Sequence, residues 1–149
     1  MSKYEVINTE YVTVTVSEDG KHIEIDLADD VKISRHQKQL KAYVDKLYNT
    51  GIKKINADQL SMPYLNKSLK LTRGKRRLDL VYYKDGRIHE CEFKTRRECG
   101  LNITYNQIGE MKKHCQNFIL LIPQSELIFV TDTIKNRKIK GVTVDTWDT

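Results

Sequence analysis

The dipeptide Asp85-Gly86 constrains this chain more than any other feature. It sits between Arg76-Arg77-Leu78-Asp79-Leu80-Val81-Tyr82-Tyr83-Lys84 and Arg87-Ile88-His89-Glu90-Cys91-Glu92-Phe93-Lys94. A two-residue Asp-Gly turn between such runs predicts a tight β-hairpin. With those residues at the tip, Lys84 faces Arg87, and the pairing runs back to set Asp79 opposite Glu92. Lys94 lies two residues further along the same face. Directly opposed side chains stand about 4.5–5.5 Å apart at Cβ, and like charges there destabilise a sheet. Two opposed carboxylates therefore need something positive between them. A divalent metal is the simplest candidate, because Mg²⁺ takes one or two carboxylates and keeps several waters. The other face pairs Leu78 with Phe93, Leu80 with Cys91 and Tyr82 with His89, and so can pack on a helix. The acidic face also carries Val81, Tyr83 and Ile88, which makes it apolar near the turn and charged at the far end. Charges clustered on an otherwise buried face point to a functional site, although the same letters also suit the solvated face of an amphipathic hairpin.

Charge distribution adds a partner. Residues 1–30 hold eight acids and two lysines, net −6, which leaves +12 for the rest of a chain whose total is +6. Between Ser61 and Arg77 there are six bases (Lys67, Lys70, Arg73, Lys75, Arg76 and Arg77) and no acid. Arg96, Arg97, Lys112 and Lys113 follow the hairpin. A basic stripe beside an acidic cluster is what holding a phosphate backbone near a metal requires. A solvated basic loop is the plainer alternative.

The 149 residues suit one domain with a real core. No apolar run approaches the roughly 18 residues of a membrane span, and Met1-Ser2-Lys3-Tyr4-Glu5 lacks the apolar region of a signal peptide. Three cysteines, Cys91, Cys99 and Cys115, are an odd number without Cys-x-x-Cys spacing. The expectation is a reduced, intracellular, cytoplasmic setting without a disulfide framework or a membrane partner. Those cysteines with His89 and His114 match no familiar zinc spacing.

Strict alternation in Tyr11–Val16 and His22–Leu27, around Ser17-Glu18-Asp19-Gly20, predicts a first hairpin, an extension over residues 1–30. Ser34 to Asn49 reads as a helix with Ile33, Gln37, Leu40, Val44 and Leu47 on one stripe, ended by Gly51. Residues 56–74 read as a connection. After the central hairpin come a polar loop from Thr95 to Leu101 and a helix from about Thr104 to Gln116. Phe118–Ile122 and Leu127–Thr131 read as two buried strands. Residues 132–149 form a basic tail with a short edge strand near Val142-Val144. The fold class is α/β, a mixed central β-sheet flanked by helices with an added N-terminal β-hairpin.

Leu78-Asp79-Leu80-Val81, a short turn, and Glu90-Cys91-Glu92-Phe93-Lys94 resemble the PD-(D/E)xK nuclease superfamily. The spacing from Asp79 to Glu92 is similar to that of archaeal Holliday-junction resolvase-like and viral nucleases, and Gln107-Ile108-Gly109-Glu110-Met111 is weakly similar to the helix that follows their lysine. The resemblance covers about residues 33–131 and implies a restriction-endonuclease-like αβββαβ core. It implies that Asp79, Glu92 and the backbone carbonyl of Phe93 hold Mg²⁺, with Mn²⁺ as substitute, and that Lys94 orients or deprotonates the attacking water. Hydrolysis of DNA would leave a 5′-phosphate and a 3′-hydroxyl. Three positions depart from the pattern. Leu78 precedes the aspartate where proline is usual. Gln37 stands where many members carry a glutamate, so it could coordinate only through a neutral oxygen. Met111 stands where one subgroup has a tyrosine four residues after Gln107, which leaves Gln107 to touch a phosphate or the lysine.

The candidate catalytic residues are thus Asp79, Glu92, Lys94, Gln37 and Gln107. The candidate nucleic-acid contacts are Lys67, Lys70, Arg73, Lys75, Arg76, Arg77, Arg96, Arg97 and Tyr105. A resolvase would need a homodimer, for which the first hairpin could supply a contact. The rival from another class is a catalytically silent nucleic-acid-binding domain, with Tyr64, Tyr82, Tyr83 and Tyr105 as stacking groups. A sequence-specific endonuclease would need a base-reading element that the chain does not suggest.

Overall fold

A computed structural model describes the backbone of residues 3–8, 12–27 and 29–149, and the side chains of residues 14–25 and 36–149. The chain divides into two compact units, Met1–Gln39 and Leu40–Thr149, with the boundary inside a helix.

The first unit carries a three-stranded antiparallel sheet of β1 (Lys3–Asn8), β2 (Val12–Ser17) and β3 (Ile23–Leu27), in that order. The expected hairpin is β2–β3, paired from Val16 with Ile23 to Val12 with Leu27; Tyr11 lies outside the described residues. Gly20, at φ +71°, takes the left-handed conformation its turn needs, and Asp19 Oδ1 accepts from the Lys21 N–H at 3.0 Å. Strand β1 escapes the alternation rule because its register shifts between Glu5 and Ile7, and a bulge breaks period 2. Helix α1 (Asp29–Asn49) begins five residues before Ser34 and runs on into the second unit. The side chain of Ile33 lies outside the described residues.

In the second unit the α1 stripe buries Leu40 and Val44 completely. Gly51 ends the helix as expected: at φ +107° it lets its own N–H reach Tyr48 C=O and the Ile52 N–H reach Leu47 C=O. The central sheet holds β4 (Ile55–Ala57), β7 (Leu80–Lys84), β8 (Arg87–Phe93), β9 (Phe118–Ile122) and β10 (Val142–Thr146), and a separate ribbon pairs β5 (Thr72–Arg73) with β6 (Arg76–Arg77). Sheet order is β10-β9-β8-β7-β4. The pairs β4–β7 and β7–β8 are antiparallel, and β8–β9 and β9–β10 are parallel. The molecule is therefore α/β with a mixed sheet. Strand β9, fully buried, feeds both faces. Ile119 and Leu121 join Leu40, Val44, Leu80, Cys91 and Phe93 on one. Phe118, Leu120 and Ile122 join Ile108, Met111, Val130 and Ile134 on the other.

Helix α2 (Asn102–Met111) and a 3₁₀ turn (Lys112–His114) occupy the stretch expected as one helix. Leu127–Thr131 is a correction: it begins helix α3 (Leu127–Asn136), after a 3₁₀ turn over Gln124–Glu126. Short apolar runs read the same for strand and buried helix, and topology decides here. The edge strand β10 lies parallel to β9, and parallel neighbours need a crossover, which α3 supplies. Its period is helical: Val130 and Ile134 are buried while Ile128 and Phe129 are exposed. The connection over 56–74 also holds more order than its composition suggests, in the end of β4 and the β5 half of the ribbon. No helix among the described residues is long and apolar enough to cross a membrane.

Candidate active site

The central hairpin forms in the register its turn dictates. Asp85 and Gly86, at φ +52° and +76°, make the two-residue turn, which matches the right-handed twist of its strands. Pairing runs from Lys84 with Arg87 to Leu80 with Cys91. It stops one pair short of Asp79 and Glu92, because Asp79 lies in a bend before β7. The Asp79 C=O faces β4, like the Tyr83 N–H that reaches Lys54 C=O, and accepts the Asp58 N–H at 2.9 Å. The chain leaves β8 at Leu78, whose N–H goes to Leu71 C=O at 2.9 Å. The Asp79 carboxylate takes over the place of the missing strand, with Oδ2 accepting the Phe93 N–H at 2.8 Å. A buried strand amide needs some acceptor, and here a carboxylate serves. The bend corrects a second expectation: Leu78 does not pack with Phe93 but with Val81 and Leu120 on the opposite face. A strand residue turns its N–H and C=O to the same side, so the Phe93 carbonyl also faces the Asp79 side.

Glu92 and Lys94 follow on β8 and just beyond it, both buried. The Lys94 N–H extends the parallel ladder to Leu121 C=O at 2.9 Å. The Lys94 ammonium lies 3.4 Å from Glu92 Oε2, 3.6 Å from Glu98 Oε2 and 3.4 Å from Gln107 Oε1 on α2. Burial alone would lower Lys94, but Glu92, Glu98 and Asp79 outweigh it and hold the ammonium above its usual value. Glu92 is pushed well above the usual carboxylate range, first by burial, then by the charge of Asp79 and a hydrogen bond to it, with Lys94 pulling the other way.

A carboxyl raised by folding stabilises the fold below its unfolded value and loses that contribution as pH rises through the folded one. Glu92→Gln keeps the shape and removes this loss. Whatever constant offset the loss of the Lys94 partner brings, the metal-free melting temperature of the variant should gain on the parent's between pH 4 and pH 8, by about 3 °C or roughly 1 kcal/mol. Thermal denaturation in EDTA checks this, and an equal shift at both pH values would remove ionisation as the cause.

The donor set tests the fit of a metal. The buried Glu92 carboxyl is raised by the neighbouring Asp79 charge, and a cation between the two would offset that repulsion. Asp79, Glu92 and the Phe93 carbonyl offer oxygen only, which suits Mg²⁺ or Mn²⁺. Among the described residues no three His, Cys, Asp or Glu side chains gather to hold a metal. Water and substrate would have to supply the remaining ligands, which is how Mg²⁺ is usually held.

The structure sorts the other candidates. Gln107 is brought to Lys94. Gln37 lies on α1 in the first unit, and the cluster is built wholly from the second. Tyr105 is a correction: it is buried, its hydroxyl donates to Cys99 C=O at 2.5 Å, and Arg137 caps its ring at 4.9 Å. It presents no face for base stacking. Of the basic residues, Arg73 pairs with Glu90 at 2.5 Å, Arg77 with Asp58 at 2.6 Å and Arg96 with Glu126 at 3.2 Å. The Lys67 ammonium donates to Leu60 C=O at 2.5 Å. Lys70, Lys75, Arg76 and Arg97 are exposed.

Three participants escaped the motif. Glu98 accepts from the Thr95 N–H and hydroxyl, both at 3.0 Å, and turns its other oxygen to Lys94; its spacing of four from Lys94 was the available signal. Glu90 is 2% exposed and shares a face with Glu92. Trp147, the one tryptophan, donates from Nε1 to Lys94 C=O at 3.0 Å and stacks on Phe93 at 4.9 Å, so the tail strand pins the end of β8. No protein-family model, curated protein or solved structure matches this chain.

Proposed function

We propose that this protein is a metal-dependent nuclease that hydrolyses DNA phosphodiester bonds, leaving 5′-phosphate and 3′-hydroxyl ends. The observation that carries the reading is the gathering of the Asp79 carboxylate on the Phe93 amide, the buried Glu92 and a buried Lys94 ammonium that Gln107 also holds. The chain order of a helix, the antiparallel β4, β7 and β8, a second helix and the parallel β9 supports it, as the arrangement the motif's resemblance implies.

Bound at Asp79, Glu92 and the Phe93 carbonyl, Mg²⁺ would neutralise phosphate charge and lower the pKa of water. The chain's own residues do the positioning. The Phe93 amide fixes the Asp79 carboxylate from behind, so its direction is set before any ligand arrives. The charge of Asp79 disfavours an ionised Glu92, and a cation relieves that repulsion. Lys94 stays protonated, so its ammonium acts as a donor that orients an oxygen and offsets developing negative charge, and not as the base. Gln107 and Glu98 restrict where that ammonium can point.

Incubation of supercoiled, linear and single-stranded DNA with Mg²⁺ or Mn²⁺, beside EDTA, tests the reading. Metal-dependent cutting is expected, and Lys94→Ala should reduce it by about 10²–10³-fold, the usual loss for one preorganised donor. DNA binding with no cutting under either metal would instead make this a silent nucleic-acid-binding module.

A further inference from the structure

The β5–β6 ribbon is too short to hold itself. Two pairs close it, Thr72 with Arg77 and Arg73 with Arg76, and even longer isolated hairpins are marginal in water. Contacts at base, middle and tip fix it. At the base the Leu78 N–H donates to Leu71 C=O at 2.9 Å, and Arg77 pairs with Asp58. In the middle Arg73 Nε donates to Glu90 Oε2 at 2.5 Å, while Glu90 Oε1 accepts the amides of Gln116 and Asn117 at 2.7 and 3.0 Å. At the tip Gly74, φ +61°, lies so close to His114 that a Cβ there would stand 2.8 Å from the ring. What this fixing presents is Lys75 and Arg76, both exposed and without an ion-pair partner among the described residues. Beside the ribbon runs a cleft of about 730 Å³, lined by Arg73, Lys75, Arg76, Glu110, Met111 and His114.

A buried ion pair adds little net stability over apolar packing, and its best-attested use is to fix a register. We infer that Glu90 and His114 are positioning residues of a nucleic-acid clamp: they set the ribbon so that Lys75 and Arg76 grip the phosphate backbone of a strand lying in the cleft. Glu90 and Glu92 sit two residues apart on one face of β8, so the clamp is referenced to the same strand as the carboxylate pair. The inference rests on the nucleic-acid partner of the proposed function and not on hydrolysis.

The experiment titrates the full chain against labelled single-stranded and duplex oligonucleotides in EDTA, between 50 and 200 mM salt. Each phosphate contact adds about 0.7–0.9 to the slope of log affinity against log salt. Lys75→Ala/Arg76→Ala should make that slope shallower by about two on duplex, so the salt series weakens binding roughly ten-fold less than in the parent. An unchanged slope overturns the clamp. Glu90→Gln tests the positioning, because the two accounts predict opposite signs. It removes a negative charge, so net electrostatics alone makes binding tighter. A released ribbon makes it weaker, by up to about ten-fold, with a shallower slope. A folded Glu90→Gln protein that binds as well as the parent, or better, overturns the inference. If circular dichroism shows that variant unfolded, His114→Ala at the exposed tip contact replaces it, and unchanged affinity and slope overturn it equally. No metal enters these measurements. Expected slopes with no cutting anywhere would sink hydrolysis and leave the clamp; cutting with unchanged slopes would do the reverse.

Discussion

Asp79→Ala or Glu92→Ala is expected to reduce Mg²⁺-dependent cleavage by about a thousand-fold or more, equivalent to about 4 kcal/mol of barrier. DNA binding in EDTA should be kept or tightened, because each change deletes a carboxylate that repels phosphate. Asp79 carries a second duty that complicates the alanine change: it is the acceptor for the Phe93 amide. Asp79→Asn separates the two duties. Its amide oxygen can still accept from Phe93, so the end of β8 stays formed, but it brings no charge to a cation. Cleavage lost in both Asp79→Asn and Asp79→Ala, with melting lowered only in the alanine variant, is the pattern of a metal ligand. Binding lost in step with cleavage, in folded protein, would count against the metal site.

Where local chemistry decides, the sequence was readable. Asp85-Gly86 admits one kind of turn, and that turn counts off the pairs from Lys84–Arg87 to Leu80–Cys91, so the sequence alone puts Glu92 and Lys94 on one face. Gly51 likewise ended α1 where its φ was needed. Legibility fails where a distant partner decides. The hairpin ladder ends because the Leu78 N–H goes to Leu71 C=O, seven residues earlier in sequence, and is not left to pair with Phe93, and no pattern around Leu78 announces it. Leu127–Thr131 looks like a strand until β10 is known to lie parallel to β9, which leaves that stretch as the crossover. Tyr105 next to Asn106 and Gln107 looks like surface, yet one hydrogen bond to Cys99 C=O satisfies its hydroxyl and lets the ring be buried. Arg73 reads as one base among six, and only the fold brings it to Glu90.

That pair carries the largest stability effect expected here. Arg73→Ala leaves Glu90, 2% exposed, without its countercharge. Removing one partner of a buried pair costs about 3–5 kcal/mol. The amides of Gln116 and Asn117 still serve one oxygen, so the low end applies, about 3 kcal/mol or a fall of roughly 6–12 °C in melting temperature. The pH dependence identifies the cause. Burial alone pushes Glu90 up, but Arg73 and the two amides outweigh it and hold the carboxyl below its usual value. A lowered carboxyl stabilises the fold above its unfolded value, and the contribution is lost as pH falls through the folded one. The gap between parent and variant should therefore be widest near neutral pH and close toward pH 3, as Glu90 takes a proton in both. A gap that stays constant with pH would assign the loss to the packing of the arginine stem instead. Arg73→Lys is expected to restore little, because Nε serves Glu90 while Nη1 donates to Lys70 and Thr72 C=O at 2.8 and 3.0 Å. A single ammonium cannot span that fork, so the charge would return without the geometry that anchors the ribbon.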